Sequence, residues 1–381
     1  MKIFYWSPFL SNVATISSVI RSAESILNYS KKNNNLAIID SVGEWEQFYQ
    51  RIDSKIRIIK LYKNSIYKLL PRGGFIKSRF SQIIIFFYSF FKLLKLIKKE
   101  EPEYIIANLI TSLPIFLSIF YNNKTRIILR ISGLPKLHIF RLFFWKIFSK
   151  KIYRITCPTE ATCQRIKKLN VFDNGKIFLL RDPAIQIKNF ANRKREKITE
   201  FEIKNNEKFI IAIGRLTRQK NFSLLIDAFS EITKKYPHYK LIILGEGEEK
   251  SKLEKKINEK KVEKKIFLLG LKKNVYKYLS IADCLIMTSL WEDPGFAILE
   301  AALCNTSIIA SDCPNGPIEI LENGKNGYLF ENNNLQDLLA KFEEFQQASK
   351  SELKEKKISA KKKIIEFGSL NHFNSITRIL N

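Results

Sequence analysis

Short apolar runs, each followed by an amphipathic stretch, recur along almost the whole chain, and this alternation restricts the fold more than any other feature. It begins with Lys2–Trp6 and a helical pattern over Asn12–Tyr29, and returns with apolar runs at Leu36–Asp40, Ile56–Leu61, Tyr104–Asn108, Arg126–Ile131, Ile152–Cys157 and Lys176–Leu180. Arg181–Arg195, with Asp182-Pro183 and a polar run from Lys188 to Arg195, interrupts it and reads as a linker. The pattern then restarts. Runs at Phe209–Ile213, Leu241–Leu244, Ile266–Leu268, Cys284–Met287, Ser307–Ala310 and Tyr328–Phe330 alternate with helical stretches at Asn221–Lys235, Glu248–Lys261, Val275–Ala282, Gly295–Cys304, Gly316–Leu321 and Leu335–Phe345. A chain of 381 residues is too long for one typical core. The reading is therefore α/β, with two doubly wound domains over residues 1–187 and 188–365 and a terminal helix, 366–381, placed to cross back to the first domain.

Charge separates the halves. The formal net charge is +28; residues 1–190 hold 32 Lys/Arg against 11 Asp/Glu, net +21, which leaves 33 against 26, net +7, for the remainder. Such a surplus points to an anionic partner, phospholipid or nucleic acid. Two stretches favour a lipid surface. Phe80–Lys99 and His138–Lys151 set aromatic and aliphatic residues beside lysines, as helices lying in a membrane interface do, although such stripes also pack on sheets. Residues 51–100 add 13 basic against two acidic side chains, each basic group being worth ~1 kcal/mol near an anionic leaflet. The longest apolar run, Ile83–Phe91, falls well short of the ~20 residues of a membrane span. Five cysteines form no C-x-x-C pair, and Met1–Pro8 opens directly on a strand. The expected location is cytoplasmic, peripheral at the inner face of the membrane.

Four stretches in the second half carry groups suited to binding and chemistry. Gly214-Arg215-Leu216-Thr217-Arg218-Gln219-Lys220 follows an apolar run, where a glycine admits a phosphate, Arg215 can fork onto its oxygens and Lys220 adds a point charge. A merely charged loop has the same appearance. Gly245-Glu246-Gly247 lacks the third glycine of a dinucleotide fingerprint, which weighs against a dehydrogenase. Glu292 precedes Pro294-Gly295, and Glu300 sits among Ile298, Leu299, Ala301 and Ala302, either on a wet helix face or turned to a ligand. Cys313-Pro314-Asn315-Gly316-Pro317 opens another helix and forms either an anion site or a plain turn.

In order and spacing, Gly214-Arg215-x4-Lys220, Gly245-x-Gly247, Glu292-x7-Glu300 and Gly316-Pro317-Ile318-Glu319 resemble the retaining, nucleotide-sugar glycosyltransferases of the GT-B class (group 1, family 4). The resemblance covers residues 208–331 closely and the first half through architecture. It implies two Rossmann-like domains facing an interdomain cleft, with the donor held by the second and the acceptor by the first. Carried over, Arg215 and Lys220 are implied as diphosphate ligands, with Gly214 beneath them. Glu300 is implied on the ribose hydroxyls and Glu292 on those of the donor sugar, beside the backbone of Gly295 and Phe296. Leu271 and Val275 are implied near the base, and Gly316 near the donor. Two cations at the leaving diphosphate imply a reaction without metal or cofactor, the nucleoside diphosphate sugar being a substrate. The partners implied are that donor, a glycan or lipid-linked acceptor and an anionic membrane surface.

This chain departs from the pattern at Ser11-Asn12-Val13-Ala14-Thr15, where many relatives have glycines, and at Asp293-Pro294, which separates Glu292 from Gly295-Phe296. His138, the sole histidine of the first half, opens the aromatic, basic stretch and is expected to face solvent or lipid; His238 and His372 read as structural. Two other classes stay open. A sugar-nucleotide epimerase or phosphorylase fits the same architecture, and net charge alone supports a nucleic-acid-binding protein, for which no helix-turn-helix, zinc-finger or RNA-recognition signature is present. No nucleic acid is expected as a partner.

Overall fold

The computed structural model describes residues 1–10, 14–71, 75–121, 124–133, 137–185, 189–202 and 206–381. The chain forms two compact units, Met1–Ala184 with Phe367–Asn381, and Ile185–Glu366. Ser11, Asn12 and Val13 of the loop after the first strand, and the boundary read between residues 187 and 188, lie outside the described residues.

In the first unit β1 (Lys2–Trp6), β2 (Asn35–Asp40), β3 (Arg57–Lys60), β4 (Tyr104–Ala107), β5 (Arg126–Arg130), β6 (Ile152–Cys157) and β7 (Ile177–Leu179) form one parallel sheet, ordered β3-β2-β1-β4-β5-β6-β7. The helices are α1 (Ala14–Tyr29), α2 (Phe75–Glu100), α3 (Ser112–Leu117), α4 (Ile139–Phe148) and α5 (Glu160–Lys168). Strand alternation divides the core into two layers. Ile3 and Tyr5 of β1 pack with Ile16, Val19, Ala23 and Ile26 of α1, whereas Phe4 and Trp6 face Leu93 and Ile97 of α2. Strands covered on both faces are apolar throughout, which is why the runs stand out in the sequence.

The second unit repeats the scheme. Strands β8 (Lys208–Ile213), β9 (Tyr239–Leu244), β10 (Ile266–Leu268), β11 (Cys284–Met287), β12 (Ser307–Ser311) and β13 (Tyr328–Phe330) run parallel in the order β10-β9-β8-β11-β12-β13. Its helices are α6 (Phe190–Arg195), α7 (Phe222–Lys235), α8 (Lys250–Glu259), α9 (Tyr276–Leu279), α10 (Phe296–Leu303), α11 (Pro317–Ile320), α12 (Leu335–Gln347) and α13 (Lys350–Lys363). In each sheet the chain starts centrally, builds one side and then crosses to the other. Neighbouring β1 and β4, and likewise β8 and β11, therefore mark a topological switch point, where open α/β sheets leave a crevice beyond their carboxyl ends.

The last helix, α14 (Ser369–Leu380), rejoins the first unit, and its Ile376, Ile379 and Leu380 enter the core beside α1. His372 is buried; its Nδ1 lies 2.7 Å from the Arg181 carbonyl and its Nε2 2.8 Å from Ser22 Oγ. Arg154 donates to the carbonyls of Arg378 and Ile379, closing the helix end where carbonyls lack intrahelical partners.

Two readings change. α2 is 26 residues long, and over Ile76–Glu100 it is long and apolar enough to cross a membrane, with a mean hydropathy of 1.6 in its best window. The run Ile83–Phe91 understated it because helix continues through the basic residues at both ends. One face nonetheless packs into the unit through Ile85, Leu93 and Ile97. The stretch read as linker also contains a helix: in α6 the Phe190 ring lies 5.2 Å from that of Tyr276, and Arg193 donates to the Lys273 carbonyl at 2.9 Å. A six-residue, mostly polar helix leaves almost no apolar period to read.

Candidate active site

At the switch point of the second unit, the loop after β8 is held by the end of β11. Leu216 is buried, and its N–H bonds to the Glu246 carbonyl at 2.9 Å. A single turn, Arg218–Lys220, follows, and Thr288 Oγ1 donates to the carbonyls of Lys220 and Asn221, each at 3.0 Å. Gln219 receives the Leu290 N–H and donates to the Trp291 carbonyl, both at 2.8 Å. These bonds fix Lys220 against the segment that carries Glu292.

Lys220 Nζ donates to Glu292 Oε1, and Ser289 Oγ donates to the same oxygen at 2.6 Å. The pair is largely enclosed, with side-chain exposures of 16% and 6%. The Lys220 side chain crosses Gly214, where an added Cβ would come within 2.9 Å of Lys220 Cε. Glu292 in turn lies beneath Gly295, which opens α10 at a φ of 96°. Ser311 Oγ donates to the Ser289 carbonyl at 2.6 Å, joining the end of β12.

The third loop comes close because Gly316 has no side chain: a Cβ there would lie 1.6 Å from the Pro294 carbonyl oxygen. The Asp293-Pro294 peptide is cis, the Glu292 N–H bonds to the Pro314 carbonyl at 3.3 Å, and Asn315 Nδ2 reaches Asp293 Oδ2 at 3.4 Å. Gly245 plays the same part for the loop after β9, since a Cβ would lie 1.8 Å from the Gly214 carbonyl oxygen. Burial pushes the neighbouring Cys313 thiol up to about 12; the Glu292 carboxylate adds to this, against the Ser311 hydroxyl and Lys220. It stays protonated at neutral pH and is no nucleophile.

Of the residues singled out in the sequence, Gly214, Lys220, Glu292, Gly295 and Gly316 converge on one patch of strand ends. Arg215 lies beside them with its side chain exposed. Phe296 and Glu300, both half-buried, lie in α10. Leu271 is exposed and Val275 half-buried, and both follow β10, two strands from β8. The sequence reading missed Ser289, Thr288, Gln219 and Ser311. For Thr288, Ser289 and Ser311 the signal was a buried polar side chain at the end of an apolar run, where burial requires a partner; Gln219 lies in the turn after β8 and carried no such signal.

Such a cluster supplies cations and a buried carboxylate at a crevice of backbone turns, which suits a ligand carrying both phosphate and hydroxyl groups. The family description Glycosyl transferases group 1 matches residues 193–363, a span that includes every residue of the cluster. An uncharacterized glycosyltransferase of Methanocaldococcus jannaschii is 33% identical over 248 residues, 61% of each chain. The N-acetylgalactosamine-N,N'-diacetylbacillosaminyl-diphospho-undecaprenol 4-alpha-N-acetylgalactosaminyltransferase of Campylobacter jejuni is 27% identical over 221 residues, 56% of this chain and 58% of that one. The chain thus spans about three-fifths of the length of these curated relatives. The crystal structure of Anabaena HepE in complex with UDP and glucose matches with a TM-score of 0.74 at 14% identity, covering 100% of this chain and 99% of that one. The two units share the GT-B fold of that structure.

Proposed function

We propose that the chain is a retaining glycosyltransferase that moves a sugar from a nucleoside diphosphate, most consistently UDP, to a glycan or lipid-linked acceptor in cell-surface glycan synthesis. The observation that carries the reading is the convergence of Gly214, Lys220, Glu292 and Gly316 at the switch point of the second unit, with Arg215 exposed alongside. Support also comes from the names of relatives, one a transferase acting on a diphospho-undecaprenol-linked glycan, and from the UDP in the Anabaena structure.

In this reading the bond from the anomeric carbon to the diphosphate oxygen breaks, and its electron pair leaves with the nucleoside diphosphate. A bond forms from that carbon to an acceptor hydroxyl oxygen on the same face, and the hydroxyl proton leaves with the diphosphate. Arg215 and Lys220 balance the growing charge, as preorganised cations do at other leaving groups, so no metal is required for it. Glu292, released from Lys220 when the diphosphate takes over that cation, accepts hydrogen bonds from the donor sugar. Glu300 does so from the ribose, with the Gly295-Phe296 backbone beside the sugar and Leu271–Val275 at the base.

The same proposal places the protein peripherally at the inner face of the cytoplasmic membrane. Ile76, Phe80, Ile83, Phe87 and Phe91 form one exposed stripe on α2, and Ile139, Phe140, Phe143 and Ile147 are exposed on α4. Exposed Lys77, Lys92, Lys95, Lys98, Lys146 and Lys150 accompany them. Product analysis after incubation with UDP-sugars and a membrane extract tests the activity. Free UDP with a lengthened acceptor is expected; a new sugar nucleotide without UDP release is the epimerase result and contradicts the proposal.

A further inference from the structure

The segment Ser289–Glu292, which leads out of β11, is braced along its backbone. The Ser289 carbonyl accepts from Ser311 Oγ at 2.6 Å, the Leu290 carbonyl from Asn332 Nδ2 at 3.0 Å and the Trp291 carbonyl from Gln219 Nε2 at 2.8 Å. The N–H groups of Leu290 and Glu292 bond to the carbonyls of Gln219 and Pro314. These partners come from the end of β12 and from the loops after β8, β12 and β13, so the backbone that carries Glu292 is fixed from several sides at once. Only the side chain is left to move.

The two oxygens of that side chain are held differently. Oε1 accepts from both Lys220 Nζ and Ser289 Oγ, whereas Oε2 accepts from none of the described residues. The two donors differ as well. Lys220 ends a flexible stem, keeps 16% of its side chain exposed and carries the charge that a diphosphate would draw away. Ser289 has no exposed surface, so no ligand competes for its hydroxyl. A buried hydroxyl needs only some acceptor, and the neighbouring Thr288 and Ser311 find theirs on backbone carbonyls. Ser289 instead donates to a carboxylate, at 2.6 Å, where the bond is charge-assisted and directional.

We infer that Ser289 is a positioning residue for donor recognition: it holds Oε1 of Glu292 while Lys220 is handed to the diphosphate, and so keeps Oε2 turned to the hydroxyls of the donor sugar. The inference rests on the transferase reading, which supplies the diphosphate and the sugar. Lys220 exchanges one anionic acceptor for another, and Glu292 keeps a charge-assisted bond within the protein throughout. Without Ser289, a carboxylate that loses Lys220 retains no side-chain donor among the described residues, and the sugar alone sets its orientation. Affinity for the nucleotide depends on the cations and is then preserved, while the sugar's share of donor affinity falls.

Calorimetric titration of the full chain with UDP, UDP-glucose, UDP-galactose, UDP-N-acetylglucosamine and UDP-N-acetylgalactosamine tests it. The readout is the ratio of each sugar nucleotide's affinity to that of UDP, in the wild type and in Ser289→Ala. For the sugar nucleotide that the wild type binds best, the ratio should fall roughly tenfold or more in the variant, as for a lost hydrogen bond to a charged group, with UDP affinity kept within about twofold. Should Ser289→Ala melt at a lower temperature than the wild type, Ser289→Cys is read instead; it is close in size but a weak donor, and the same change is expected. An unchanged ratio for every sugar nucleotide would overturn the inference. So would a loss of UDP affinity as large as the loss for the sugar nucleotides, which is the result of a merely structural serine. UDP binding separates the two proposals. If the wild type does not bind UDP, the transferase reading falls and this inference with it; if UDP binds and the ratios stay the same, only the role of Ser289 is removed.

Discussion

Lys220 and Glu292 were assigned separate ligands in the sequence reading, yet they hold each other, and this alters what a substitution reports. Removing one partner of an enclosed pair leaves a buried charge and costs about 3–5 kcal/mol, whereas removing both is close to neutral. Lys220→Ala should therefore lower the melting temperature, and adding Glu292→Gln should restore most of it; additive losses in thermal melts would show that the pair is not coupled. Lost nucleotide binding in Lys220→Ala is for the same reason ambiguous, while Arg215→Ala, at an exposed side chain, is not. The pairing was illegible in the sequence because its members lie 72 positions apart and meet only through the adjacency of β8 and β11. The glycines at 214, 295 and 316 were legible as punctuation after apolar runs. Their use, admitting Lys220 Cε, the Glu292 side chain and the Pro294 carbonyl, was not.

Among the elements, the strands were read almost to the residue, because a parallel strand covered on both faces is apolar along its whole length. Helices with one wet face were placed less well: α6 was taken as linker and α2 was cut short. The terminal helix α14 makes a clear prediction. Ile376, Ile379 and Leu380, each worth about 1.5–3 kcal/mol when fully buried, seal the core of the first unit, and His372 is buried between Ser22 and the Arg181 carbonyl. Burial holds the His372 imidazole down to about 4, against the opposing pull of the Arg181 carbonyl bond. Since the folded chain binds this proton less readily than the unfolded one, the contribution is complete above the unfolded value, ~6.5. It is lost as pH falls from there towards 4. The loss should reach about 3 kcal/mol near pH 4. Urea melts at pH 7 and pH 4.5 should show the wild type losing stability more steeply than His372→Gln; equal slopes would remove His372 from the account.

At the scale of the molecule, the charge imbalance of +21 in residues 1–190 against +7 in the rest coincides with the exposed aromatic stripes of α2 and α4. Sedimentation with anionic vesicles should carry the protein down and weaken as salt shortens the Debye length from ~10 Å at 0.1 M to ~3 Å at 1 M. Equal binding to neutral vesicles would contradict the electrostatic part of that proposal. The second unit gathers Arg215, Lys220 and Glu292 at the switch point of its parallel sheet, and the first unit has a cavity at its own. The central claim is that the cluster in the second unit holds a nucleoside diphosphate. Calorimetric titration of UDP into the wild type and into Arg215→Ala tests it most directly. Saturable binding is expected, with a loss in the variant of about ten- to a hundredfold, corresponding to a charged hydrogen bond of ~1.5–3 kcal/mol. Absent UDP binding, or the same affinity in both proteins, would contradict it.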